Sequence, residues 1–307
     1  MLFDDNNAPL VSVVMPVFNG VKTFERAIDS ILSQTYKNIE ILVCDNASFD
    51  GTDLVAKKKL DDCRVVYIRH QENIGAVANF LYGISATKGD YLLIAGDDDY
   101  WDRKYIEKLL PLMDRSKCIG VAQSAINRTT SSGELVSVCD LRSHAAHLIN
   151  IDHSTLRSAR LRLKHLLFSE RCADGYNPCN MLVLSLVDGA VMREAAKHFP
   201  TDVVHDRAFM AEVIIKRGWQ FVGDVLMTKV SVHEKPYSER RSPGDGKIDI
   251  LVRDKTKYSN RMKVFRTLNF LLKSNLSFSE ILYVVLPQYY YLLVSEVSGL
   301  IKRRLVL

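Results

Sequence analysis

The sequence predicts an α/β protein built on a mixed, mostly parallel sheet flanked by helices, with a helical extension at its C-terminal end. Three observations carry this. Short β-branched runs alternate with helix-periodic segments through the first hundred residues, polar turn clusters close each run, and the alternation ends before Ile248. Strands alternating with helices imply βαβ units, whose crossovers lay successive strands parallel.

The elements follow in order. Val11 to Val17 is a short apolar run ended by Phe18-Asn19-Gly20, a buried strand and then a turn. From Thr23 to Gln34, Phe24, Ala27, Ile28, Ile31 and Leu32 recur at helical spacing. Ile39 to Cys44 is the second strand, closed by Asp45 to Gly51. Thr52 to Leu60 is helical, Arg64 to Ile68 is the third strand, and Ala76 to Ala86 is the next helix. Tyr91 to Ala95 is the fourth strand and runs directly into Gly96-Asp97-Asp98-Asp99. Parallel sheets bind ligands beyond the carboxyl ends of their strands. Asn19, Asp45 and the aspartate run all fall at such ends.

The second half is less regular. Leu135 to Val138 reads as a strand and Leu156 to Phe168 as an amphipathic helix. Val183 to Val191 reads as a buried strand leading into a helix that ends near Phe199-Pro200. Asp206 to Arg217 is helical, and Trp219 to His233 holds one or two strands. Ser238 to Gly246, with Pro243, Gly244 and Gly246 among charges, is a linker. The expected division is a catalytic unit over residues 1–240, halved near residue 115, and a basic helical extension over 241–307.

Composition narrows the class. At 47% hydrophobic and 25% charged over 307 residues, the chain has the make-up of a soluble globular protein. Its first ten residues carry Asp4, Asp5, Asn6 and Asn7, so no secretory leader is expected. Six scattered cysteines without a C-x-x-C pair suggest reduced thiols in a cytoplasmic protein, and neither a zinc site nor a disulfide framework. Of the net +5, the stretch Arg240–Lys273 alone carries ten basic and three acidic residues. Such a stretch suits an anionic partner: a membrane surface, a diphosphate or nucleic acid. No nucleic-acid module accompanies it, and no G-x-G-x-x-G follows the first strand, which argues against a dehydrogenase. Further on, Ile281 to Val297 is tyrosine-rich but interrupted by Pro287, Gln288 and Glu296, short of the ~20 apolar residues a spanning helix needs. It suits a helix at a membrane interface, or one packed on the catalytic unit or on a second copy.

Asp97, Asp98 and Asp99 carry the chemistry. Adjacent carboxylates repel and raise each other's pKa unless a cation sits among them. Hard cations such as Mg²⁺ or Mn²⁺ prefer carboxylate and phosphate oxygens, so a metal here could join a diphosphate to the protein. A solvated acidic turn is the plainer alternative.

Val13 to Asn19, Val43 to Thr52, Asn73-Ile74-Gly75, Lys88 to Tyr91 and Gly96 to Trp101, in that order, resemble family 2 glycosyltransferases of the GT-A fold. The likeness is strong over residues 10–115 and looser over 180–235. It implies inverting transfer from a nucleotide-diphosphate sugar, with Mn²⁺ or Mg²⁺, to a glycan or lipid-linked glycan acceptor. Bacterial surface polysaccharide or O-antigen assembly at the inner face of the plasma membrane is the implied setting. By the resemblance, Pro16, Val17 and Asn19 line the nucleobase pocket and Asp45 accepts from base or ribose. Asn73, Gly75, Asn79 and Asp97 join the donor site, and Asp98, Asp99 and His233 are the candidate metal ligands. Asp206, opening its helix after Val204-His205, is the candidate general base, with a helix N-cap as the alternative role. Asp188 and Gly189 fall where acceptor contacts lie. Two departures stand out: Gly96 replaces a common aspartate, and an arginine that usually follows the Asn79 region is missing. A nucleotidyltransferase and a non-catalytic carbohydrate-binding scaffold are the competing readings. Homo-oligomerisation through the C-terminal helices is a further candidate.

Overall fold

The structure is a computed structural model that describes residues 8–168, 178–199 and 206–232, with Leu272 and positions 276–281, 283 and 286 beyond them. The alternation in the sequence becomes β1 (Val11–Val17), α1 (Phe24–Leu32), β2 (Ile39–Asp45), α2 (Thr52–Lys58), β3 (Val65–Arg69), α3 (Ala76–Ala86) and β4 (Tyr91–Ile94). The four strands lie parallel in the order β3-β2-β1-β4. The near-continuous burial of β1, β2 and β4 explains why these segments lack polar alternation, since both of their faces are covered, whereas the edge strand β3 is buried only at Val65. Helix α1 buries the stripe Phe24, Ala27, Ile28 and Ile31 read from its periodicity.

The sheet continues through strands of mixed direction. After β5 (Tyr100–Trp101) and α4 (Tyr105–Leu109) comes β6 (Ile119–Thr130), paired along its edge with β7 (Leu135–Cys139). Then follow α5 (Leu141–Ala145), α6 (Leu156–Phe168), β8 (Leu186–Asp188), α7 (Gly189–His198), α8 (Asp206–Lys216) and β9 (Gly218–Val232). Strand β8 joins β4 to β6, antiparallel to both, and β9 runs parallel to β6. Two reversals therefore bring β6 and β9 back to the direction of β1–β4. The carboxyl ends of all six strands share one end of the sheet.

Two expectations change here. The strand expected over Val183–Val191 is only Leu186–Asp188, because the chain is helical before it and Asp188 caps α7 directly after it. The long strand β6, absent from the sequence reading, is the centre of the second half.

Helices α3, α7 and α8 pack side by side, and α6 lies against α8. The buried apolar cluster runs from β1 to β9 and takes in Leu276 and Ile281. Part of the C-terminal extension is thus packed into the catalytic unit rather than set apart from it. The stretch Ser238–Gly246 and His233 lie outside the described residues. Among those described, no helix is long and apolar enough to cross a membrane.

Candidate active site

The loops leaving β1, β2 and β3 are tied to one another at the carboxyl end of the sheet. Val17 ends β1 buried, with Pro16 half-buried before it. Asn19 takes a left-handed backbone (φ 53°), and its N–H donates to Ser48 Oγ at 2.9 Å. Its Oδ1 accepts from the Phe49 N–H at 3.0 Å. Asn46 Nδ2 donates to Asn73 Oδ1 (2.8 Å), while its Oδ1 accepts from the Ile74 N–H (2.9 Å). Gly75 precedes α3 at φ 91°, a conformation that a side chain would strain, and its N–H also reaches Asn73 Oδ1. Pro16, Val17, Asn19, Asn73 and Gly75 are thus brought to one loop cluster.

Asp45 and Asn79 stand differently from the expectation. Asp45 is fully buried: Oδ1 accepts from the Ser48 N–H (2.8 Å) and Oδ2 from the Tyr67 hydroxyl (2.5 Å). The Arg69 guanidinium lies 3.6 Å from the same Oδ2. Asp45 therefore shapes the loop instead of presenting its carboxylate to the cleft. Asn79, also buried, donates to the Cys44 carbonyl and pairs with His70, bracing the end of β2 from behind.

The three carboxylates of the acidic turn stay close enough to repel one another but take different partners. Asp97 leans back onto the β1 loop, where its Oδ2 would lie 2.4 Å from a Cβ placed on Gly20. Only glycine admits that approach. Burial first, and then Asp98 and Asp99, push the Asp97 carboxyl up to about 8. Asp99 points the other way and is fully buried. Oδ2 accepts from Lys229 Nζ and Oδ1 from the Val230 N–H, both at 3.1 Å, which pins the turn to β9. Burial raises the Asp99 pKa, and Lys229 pulls it back. Each Asp99 oxygen accepts one of these bonds and keeps a second lone pair for the metal role expected of it. Asp98 Oδ1 lies 3.4 Å from the Cβ position of Gly96, and the Asp98 carbonyl accepts from Arg26 at 3.3 Å. Arg26 in turn stacks on Tyr100, 4.4 Å from the ring centroid.

A divalent cation fits this donor set. The turn holds carboxyl groups that burial and mutual repulsion disfavour as anions, and a cation removes that penalty. Among the described residues no group of three or more His, Cys, Asp or Glu side chains is placed to enclose a metal.

Asp188 and Gly189 lie at the wrong end of the sheet for acceptor contacts. Asp188 pairs with Tyr91, the first residue of β4, so it sits away from the acidic turn that follows the last. Its Oδ1 caps α7 by accepting from the N–H groups of Ala190 and Val191. Its Oδ2 accepts from Arg115 and Arg217, each at 3.2 Å. Gly189 donates its N–H to the Asp90 carbonyl.

Asp206 opens α8, and its side chain is outside the described residues. A single residue, Arg217, separates the end of α8 from the start of β9, at the sheet end where Arg217 meets Asp188. Eleven residues carry the chain roughly 16 Å between that end and the first turn of the helix. There Phe209 meets Phe80 of α3, with ring centroids 5.1 Å apart.

Sequence reading missed Asn46, Tyr67, Arg69, Arg26 and Lys229. Asn46 was findable beside Asp45. Nothing local marked Lys229, whose role exists only because β9 passes the acidic turn.

The acidic turn thus stands at the carboxyl end shared by six strands, held between the β1 loop and β9. Residues 12–155 match the model of Glycosyl transferase family 2. An Escherichia coli protein, UDP-Glc:alpha-D-GlcNAc-diphosphoundecaprenol beta-1,3-glucosyltransferase WfaP, is 35% identical over 109 residues, 35% of this chain and 43% of that one. Putative glycosyltransferase EpsE of Bacillus subtilis is 34% identical over 114 residues, 36% of this chain and 41% of that one. The aligned segment thus spans less than half the length of either relative. Residues 1–349 of S. aureus TarS superpose with a TM-score of 0.58 at 14% identity, covering 92% of this chain and 72% of that one. At that identity the likeness is one of fold, and the fold is GT-A.

Proposed function

We propose that the protein transfers a hexose from a UDP-sugar to an acceptor hydroxyl with inversion at the anomeric carbon. The observation that carries this reading is the acidic turn Gly96–Asp99, held between the β1 loop by Asp97 and β9 by Asp99. A diphosphate bound across the loop cluster would end beside that turn. The family match over residues 12–155 supports the reaction class. The acceptor named for WfaP, a diphosphoundecaprenol-linked sugar, supports a lipid-linked glycan acceptor and a place in bacterial surface polysaccharide assembly at the inner face of the membrane.

Asp206 serves as the base. Its carboxylate takes the proton of the acceptor hydroxyl as that oxygen bonds to the anomeric carbon, and the bond from this carbon to the diphosphate oxygen breaks. A positioned base contributes about 10²- to 10⁴-fold. Mn²⁺ or Mg²⁺, held by Asp98 with Asp97 and with His233 as a further candidate, would neutralise charge on the departing diphosphate. Lys229 and the Val230 N–H fix Asp99, and Asp99 fixes the turn that carries the other two carboxylates.

The test is nucleoside diphosphate release from a panel of nucleotide-sugars, with and without Mn²⁺ and a lipid-diphosphate sugar acceptor. Metal-dependent release from one UDP-sugar, accelerated by acceptor, is expected. Turnover of sugar-1-phosphate with a nucleoside triphosphate instead would make the protein a nucleotidyltransferase. No turnover of any donor would leave the scaffold reading.

A further inference from the structure

We infer that the outward face of α6 and the C-terminal turn docked beside it form a surface that seats this protein on an anionic lipid bilayer. Leu156, Arg157, Arg160, Leu161 and Lys164 are exposed, and their spacing places them on one stripe of the helix. The opposite stripe, Ala159, Arg162, Leu163 and Leu166, is buried. No acidic residue occurs in α6, so its outer face is cationic with leucines between the charges.

The C-terminal turn extends this face. Leu276 and Ile281 are buried in the common core, which anchors the segment. Between them, Ser277 and Glu280 form a reciprocal capping box that fixes the helical turn Phe278–Glu280. The turn holds Phe278 outward at 78% exposure. Tyr283 and Leu286 are each 44% exposed, and the Arg160 guanidinium lies 5.6 Å from the Tyr283 ring centroid, which joins the turn to α6. An aromatic wedge held out by a capped, anchored turn beside guanidinium and ammonium groups matches a bilayer interface. Acyl chains accept the ring, and anionic headgroups accept the cations. A symmetric pair of copies fits less well. A two-fold interface sets a patch against itself, and the α6 cations would then face their own counterparts.

The inference does not depend on the glycosyl-transfer reading, because binding is measured without donor or acceptor. The experiment is co-sedimentation of the full chain with phosphatidylcholine vesicles, with and without phosphatidylglycerol, at low and high salt. Wild type should bind the phosphatidylglycerol vesicles and release as salt shortens the screening length. Phe278→Ser should weaken binding about tenfold, and Arg157→Gln about fivefold. Both side chains are exposed, so melting temperatures should hold. Binding that ignores phosphatidylglycerol, or that neither substitution weakens, overturns the proposal. So does a lipid-free dimer in sedimentation velocity that Phe278→Ser dissociates, which would give the surface to a second copy.

Discussion

Asp97 offers the most direct test of the acidic turn, through Asp97→Asn. The substitution keeps the size of the side chain lying over Gly20 and removes its ability to ionise. In the folded protein this carboxyl titrates at about 8 instead of 3.8, from burial and from Asp98 and Asp99. A raised carboxylate pKa means that the folded state holds its proton more tightly than the unfolded state does. Below about pH 4 both states are protonated and the group has no effect on stability. Above that, wild type loses about 1.4 kcal/mol per pH unit until the folded pKa is reached. Asp97 keeps part of its surface in water, so roughly half of the full span is expected, about 2–3 kcal/mol by pH 8. Asp97→Asn escapes this loss and should melt about 4–10 °C above wild type at pH 8, with no difference near pH 4. Thermal unfolding across pH measures it, and Mn²⁺ should narrow the gap at pH 8 by stabilising wild type alone. A melting difference independent of pH would refute the crowded-carboxylate account. Mn²⁺ raising both proteins equally would remove Asp97 from the metal site.

Three other outcomes follow from the same geometry. Asp206→Asn should lower transfer by about 10²- to 10⁴-fold while donor affinity holds and melting temperature changes little, since asparagine keeps the side chain's size and a first-turn charge is worth only about 0.3–1 kcal/mol. Steady-state kinetics and calorimetry on that one variant read both halves. Asp98→Ala should abolish the Mn²⁺ dependence of donor binding in titration calorimetry, and an unchanged Mn²⁺ response would move the metal elsewhere. Asp188→Ala should cost about 2–3 kcal/mol in urea unfolding, because α7 loses its cap and Arg115 and Arg217 lose their shared partner. Its donor and acceptor KM values should stay unchanged, which separates a brace from an acceptor contact.

The first hundred residues were legible because their signals are local. Strands covered on both faces must be mainly apolar, as Val13–Val17 and Ile41–Cys44 are. The turns that end them must carry residues able to bond the loop backbone, as Asn19, Asn46 and Asn73 do. Strand β6 was not legible, because its buried positions include Gln123 and Ser124. Gln123 lies in the core only because the Tyr105 hydroxyl and the Met181 carbonyl meet it there. A polar residue satisfied by partners from distant elements looks, in sequence, like a surface residue.

By itself the sequence determined the βαβ order, the strand ends at which chemistry gathers, and the presence of a crowded aspartate turn. Spacing and residue type suffice for those, since each is set within a dozen neighbours. Only the tertiary structure decided what each carboxylate does. Asp97, Asp98 and Asp99 are consecutive and chemically identical, yet one rests on Gly20, one has its carboxyl beside Gly96 and its carbonyl on Arg26, and one is held by Lys229. Asp45 and Asp188 likewise stand at strand ends, but the first is sealed beneath its own loop and the second lies at the opposite edge of the sheet. A carboxylate's role follows from its burial and its partners. Those partners come from β9, α1 and the arginines of remote loops, which only folding brings within hydrogen-bond distance.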